Sequence, residues 1–93
     1  MKVRWQSRFK KDYKRMIKQS KDISELDRVI IELAVPNPLP EKYRDHVLVG
    51  NFDGCRECHI RPDWLLIYDY ENLEKGEKQL LLIRTGSHSE LLE

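Results

Sequence analysis

HVLVGNFDGCRECHIRPDWLLIYDYENLEKGEKQLLLIRT, residues 46–85, decides the fold. Four runs of strand-like residues, His46–Gly50, Arg56–Arg61, Trp64–Tyr70 and Leu80–Thr85, are separated by turn signals. Asn51 to Gly54, with its Asp-Gly pair, closes the first hairpin, and Pro62-Asp63 breaks the chain between the second and third runs. Glu71 to Lys78, charged and containing Gly76, forms an exposed connection to the fourth. Such a succession predicts a four-stranded antiparallel meander.

Upstream the period changes. Trp5, Phe9, Tyr13, Met16 and Ile17 recur at spacings of three and four, which predicts an amphipathic helix over about residues 4–20. Asp22 followed by Glu25 resembles a capping box, and Leu26, Val29, Ile30 and Leu33 then share one face of a second helix ending near Ala34. Pro36, Pro38 and Pro40 cannot extend that helix and make a stiff connector, with a short helical turn expected over Glu41–Asp45. The expectation is an α+β domain over residues 1–93: two N-terminal helices packed on one face of a four-stranded, mainly antiparallel sheet. Ninety-three residues hold one core and leave no room for a second. No apolar run reaches the roughly 20 residues of a membrane span, and no signal-peptide pattern opens the chain, so a soluble, cytoplasmic protein is expected.

The net charge of +1 hides a division. Residues 1–21 carry nine Lys or Arg against one acid, and residues 22–93 carry eight against fifteen. A basic segment of that kind can face phosphates or an acidic partner. Cys55, Cys58 and His59 spell a haem-attachment or redox pattern. On a strand, residues three apart face opposite ways, so the two sulfurs share neither a ligand nor a disulfide, and the match is read as coincidence.

Chemistry concentrates on His46, His59, Asp63, Arg84 and His88, which an antiparallel meander can gather along one sheet edge. Cleaving RNA without a metal needs a base for the 2'-hydroxyl, an acid for the departing 5'-oxygen and fixed positive charge for the phosphorane. Histidine serves either proton role near neutral pH, and arginine offers a permanent charged fork. The Arg84 guanidinium is expected to emerge on the concave face that the helices leave open, and Trp64 beside Asp63 to give a base a stacking shelf. No histidine pair has the i, i+4 spacing of a helical zinc motif, so no metal or other cofactor is expected.

Three blocks carry a family resemblance: Asp45-His46-x-Leu48-x-Gly50; Arg56-Glu57-Cys58-His59-Ile60-x-Pro62-Asp63-Trp64-Leu65-Leu66-Ile67-Tyr68; and Arg84-Thr85-Gly86-Ser87-His88-Ser89-Glu90-Leu91. Together with the helix pair and proline connector they closely resemble the YafQ branch of the RelE toxin superfamily. The resemblance implies a ribosome-dependent mRNA endonuclease, the toxin of a type II pair, leaving 2',3'-cyclic phosphate and 5'-hydroxyl ends. It implies a cognate antitoxin, ribosomal RNA contacts through the basic N-terminal helix, and operator DNA reached only through the antitoxin complex. It puts the active site on His46, His59, Asp63, Arg84 and His88, with Trp64 and Leu92 as substrate contacts; relatives commonly carry an aromatic where this chain has Leu92. His88 and His46 are assigned proton transfer, Arg84 the transition-state clamp, and His59 with Asp63 auxiliary roles. The alternatives are a gyrase-binding poison of the ParE kind, which has no need of this histidine set, or an inactive RNA-binding relative.

Overall fold

The computed structural model describes residues 1–35 and 39–92. Pro36 and Pro38 of the expected connector, and the side chain of Leu92, lie outside what it describes.

Five strands form one sheet: β1 (Lys2–Trp5), β2 (His46–Val47), β3 (Arg56–Arg61), β4 (Trp64–Asn72) and β5 (Lys78–Gly86), in the order β1-β5-β4-β3-β2. The meander β2 to β5 is antiparallel, as its turn chemistry dictates, while β1 runs parallel to β5 with Val3 opposite Leu80 and Trp5 opposite Leu82. The α+β expectation holds, with one strand and one helix more than expected. The first helix, α1 (Ser7–Lys18), starts later than its apolar spacing suggested, because Lys2–Trp5 is drawn out to cover the outer edge of β5. Helix α2 (Ile23–Ala34) begins where expected, its first turn capped by Asp22, whose carboxylate accepts from the Ser24 N–H. Glu25 does not complete the capping box; it pairs with Arg61 on β3.

Both helices bury their apolar stripes on one sheet face. Phe9, Met16, Leu26, Val29 and Leu33 meet Cys58, Trp64, Leu66, Tyr68, Leu80 and Leu82, each at most 2% exposed. The other face is covered less, by Leu48, Phe52 and Leu91 over Leu65 and Ile67. Cys55 packs with that second cluster and Cys58 with the first, so the two thiols lie on opposite faces and are unpaired. Burial pushes the Cys58 thiol well above its ordinary range, the opposite of a reactive thiolate.

One irregularity positions the site. Ile67 pairs with Arg84 but Tyr68 pairs with Leu82, so Ile83 is an extra residue, a β-bulge in β5. Leu80 and Leu82 therefore face the helices, while the register sets Arg84 on the opposite face, in one row with Ile67, Glu57 and His46. Without the bulge, simple alternation would have turned Arg84 toward the helices with Leu80 and Leu82.

Candidate active site

Strand alternation sets Glu57 and His59 on the same face of β3, and β2 lays His46 directly across from Glu57. The Glu57 carboxylate sits between two imidazoles: its Oε1 is 3.4 Å from His46 Nε2 and 3.5 Å from His59 Nε2. Glu57 is only 3% exposed, and its Oε2 has no hydrogen-bond partner among the described residues. A buried carboxylate oxygen without a partner is costly, which sets Glu57 apart from an ordinary strand residue. His46 donates from Nδ1 to the Arg44 carbonyl at 2.6 Å, because a carbonyl can only accept. Its neutral form therefore keeps the Nε2 lone pair, 3.4 Å from Glu57 Oε1.

The third imidazole arrives from the C-terminal corner. Gly86 (φ +156°) ends β5 in a conformation that side chains rarely adopt, and a Cβ there would lie 2.9 Å from Arg15 Nη2 and 3.0 Å from Glu90 Oε1. Ser87 and Glu90 then close a reciprocal capping box: the Ser87 N–H donates to Glu90 Oε1 at 2.8 Å, and the Glu90 N–H donates to Ser87 Oγ at 3.2 Å. That box starts α3 (His88–Leu92) and fixes His88 on its first residue. Asp63 Oδ1 accepts both the His88 N–H (2.9 Å) and its Nδ1–H (2.7 Å), leaving Nε2 free. These two bonds, the backbone one foremost, hold the Asp63 carboxyl below the usual carboxylate range.

The three rings form a chain, His46 to His59 at 6.1 Å and His59 to His88 at 5.7 Å between centroids. His46, His59, Asp63 and His88 are thus brought together as the sequence suggested. Glu57 joins them and was missed as a site residue, although its place two residues before His59 carried the signal.

Arg84 differs from expectation. Its guanidinium is not displayed on the open face: Arg84 is 8% exposed, donating from Nε (2.6 Å) and Nη2 (3.2 Å) to the carboxylate of Asp12 on α1. Asp12 also accepts the Thr85 N–H at 3.1 Å and pairs with Arg15 at 3.1 Å, and Arg15 in turn pairs with Glu90 at 3.0 Å. Two cations and two anions thereby lock α1 against the strand end that carries Arg84 and the helix that carries His88. Asp12 was legible as the single acid in the basic first segment, set between Phe9 and Met16 on the apolar stripe. Trp64 is also corrected. It is 2% exposed within the helix-side core, its Nε1–H donating to Thr85 Oγ1 at 3.0 Å, so it packs rather than offering a shelf to a base.

Beside β3, beyond the two-residue reach of β2, lies a cleft of about 530 Å³ with His59 in its wall. Arg28, Lys42, Arg44 and Arg61 line it against one acid, Glu25. Arg8, Lys10, Lys11, Lys14 and Lys18 of α1 are exposed and make a second basic surface. Among the described residues no helix is long and apolar enough to cross a membrane.

Known proteins agree with this architecture. The mRNA interferase toxin YafQ of Escherichia coli K12 is 36% identical over 91 residues, covering 96% of this chain and 92% of the relative. A metal-bound toxin from Helicobacter pylori is 39% identical with a TM-score of 0.83, covering 99% of both chains. The E. coli DinJ-YafQ toxin-antitoxin complex contains a chain 34% identical with a TM-score of 0.79, covering 98% of this chain and 96% of that one. The model of the family described as the bacterial toxin of type II toxin-antitoxin system, YafQ, matches residues 1–93, and the chain belongs to that family of mRNA interferases, which are endoribonucleases.

Proposed function

We propose that this chain cuts mRNA on the ribosome by attack of a ribose 2'-hydroxyl on the adjacent phosphate, leaving a 2',3'-cyclic phosphate and a 5'-hydroxyl. One observation carries the reading: three imidazoles stand in a chain, with a buried carboxylate between the first two and a hydrogen-bonded one on the third. The reaction needs two proton carriers on opposite sides of one phosphate, and the two ends of this chain differ as an acid and a base should.

The roles follow from the hydrogen bonds. At the Glu57 end, His46 Nε2 offers its lone pair and the carboxylate stabilises the imidazolium formed when the 2'-hydroxyl gives up its proton. At the other end, Asp63 orients His88 through Nδ1 and stabilises its protonated form, so that Nε2 delivers a proton to the departing 5'-oxygen. His59, between them, adds positive charge near the phosphorane when protonated. Arg84 acts as buried positive charge anchored by Asp12 rather than as a displayed clamp on the phosphate.

The basic cleft beside His59 suits the mRNA backbone, and the exposed cations of α1 suit ribosomal RNA, both through phosphate charge. E. coli YafQ is found in complex with DinJ, and a cognate antitoxin of this chain is expected to bring acidic and apolar surface to these basic regions. Operator DNA is then contacted through that complex, in the cytoplasm. The test is end mapping of mRNA after brief induction in translating cells. Clustered 5'-hydroxyl ends that disappear in His88→Ala support the proposal; 5'-phosphate ends, or undiminished cleavage in His88→Ala and His46→Ala alike, refute it.

A further inference from the structure

We infer that His46, Glu57 and His59 form a tetrahedral transition-metal site, selective for an ion of the zinc type, and that loading it switches the nuclease off. The switch rests on the proposed proton-transfer roles of these residues; the site itself does not.

Three observations converge. Donor atoms bonded to zinc at about 2.1 Å in tetrahedral geometry stand about 3.4 Å from one another. His46 Nε2 and His59 Nε2 lie 3.4 and 3.5 Å from Glu57 Oε1, so two edges of that tetrahedron already exist. Both separations are long for direct hydrogen bonds and fit a third body between the groups. All three donors lie within 4.8 Å of one another, so closing the remaining edge needs only a small turn of the half-exposed His46 ring.

Second, His46 carries the outer-shell bond that metal-ligating histidines show, with Nδ1–H donating to the Arg44 carbonyl at 2.6 Å. That bond keeps the Nε2 lone pair free for an ion. Third, Glu57 is 3% exposed, with one oxygen on both imidazoles and the other without a partner among the described residues. A cation at this point would compensate a charge that is otherwise buried at a cost. Two imidazoles and one carboxylate suit zinc, copper or nickel better than magnesium or calcium, and leave a fourth position for water or a phosphate oxygen.

An ion held here uses the lone pairs by which His46 and His59 accept protons. It fixes both rings and removes the base from the reaction, so occupancy and cleavage are opposed. No bond of the RNA changes in this step; only the ring protons and solvent are displaced.

The experiment uses the full-length purified toxin. Zn2+ is titrated calorimetrically, and Co2+ replaces it as a reporter whose visible bands are intense only in tetrahedral coordination. One equivalent is expected to bind, with affinity reduced at least 10-fold in His46→Ala and His59→Ala. Asp63→Asn, outside the donor set, should stay within 2-fold. Glu57→Gln is read only if its melting curve shows it folded. Cleavage of an mRNA in a translating extract should fall along the same Zn2+ isotherm and return on adding EDTA. Absence of one-equivalent binding, or binding unaffected by both histidine variants, overturns the site. Site-specific binding with unchanged or faster cleavage overturns the switch. A toxin that cuts no mRNA even in EDTA refutes the nuclease reading, while the binding isotherms still decide the site.

Discussion

Replacing Asp12 by alanine tests the least visible part of the proposed active site. The Asp12 carboxylate, almost wholly buried, receives the Nε and Nη2 donors of Arg84, the Thr85 N–H and Arg15. Removing it leaves the buried Arg84 cation uncompensated and close to a second cation, while Glu90 pairs with Arg15 and not with Arg84. Breaking a buried ion pair from one side costs about 3–5 kcal/mol. In a domain of this size each kcal/mol shifts Tm by about 4–8 °C, so Asp12→Ala should melt at least about 12 °C lower. Because the penalty belongs to the stranded charge, it should shrink when Arg84 is also replaced. In a double-mutant cycle with Arg84→Met, the coupling should be about 1.5–3 kcal/mol, read from urea unfolding followed by circular dichroism. The catalytic counterpart is measured well below Tm, where Asp12→Ala should lower kcat more than KM rises, because Arg84 loses its fixed aim. Additivity within about 0.5 kcal/mol, or full kcat in a folded Asp12→Ala protein, would refute the argument that Asp12 anchors Arg84.

Three further outcomes are expected. Trp64→Phe removes the indole donor to Thr85 and should cost about 1–2 kcal/mol in stability with kcat/KM retained; a tenfold fall in kcat/KM at unchanged Tm would restore Trp64 as a substrate contact. Gly86→Ala forces a Cβ into Arg15, Glu90 and Leu91, so a loss of about 1–3 kcal/mol is expected together with a disproportionate loss of activity through His88; a melting curve matching the parent protein would contradict this. The third concerns pH: the Asp63 carboxyl is depressed, so its contact with His88 contributes above the usual aspartate range and is lost as pH falls through the lowered value, below about pH 4. Carbon-detected NMR should show Asp63 titrating low, and His88→Ala should keep the larger share of the depression because the backbone donor survives; an ordinary midpoint in the parent protein would sink this.

What the sequence made legible was local. Helix stripes, the Asp22 cap, and the turns at Gly54 and Pro62-Asp63 each depend on residues a few positions apart, and the described elements follow them. Strand β1 escaped because its parallel partner lies 77 positions away, at the far end of the chain, and because Trp5 also fits the apolar spacing of α1. Helix α3 could have been read from Ser87-x-x-Glu90, a capping box just past the last strand. The histidine cluster was legible as a set of chemical types, but its arrangement required the register that pairs His46 with Glu57 and His59 with Leu65.

Arg84 shows why residue type alone does not settle a role. Its place in the last strand allowed either a displayed clamp or a buried charge, and the difference arises from two features without local signature: a one-residue bulge at Ile83 and an acid 72 positions upstream. The bulge sets Arg84 in the row of Glu57 and His46, and Asp12 then holds the guanidinium at the β5 edge. Neighbouring strands stand about 4.8 Å apart, so β5 lies about 10 Å from β3, roughly the width a phosphate and its ribose must occupy between the two poles of charge. On the proposed mechanism, the long-range pair to Asp12 therefore fixes one boundary of the site, and the Glu57 carboxylate between its imidazoles fixes the other. A substitution that lets Arg84 leave Asp12 would change the width of the proposed site before it changed any group that touches RNA, which is why stability and kcat should fall together at Asp12 and stability alone at Trp64.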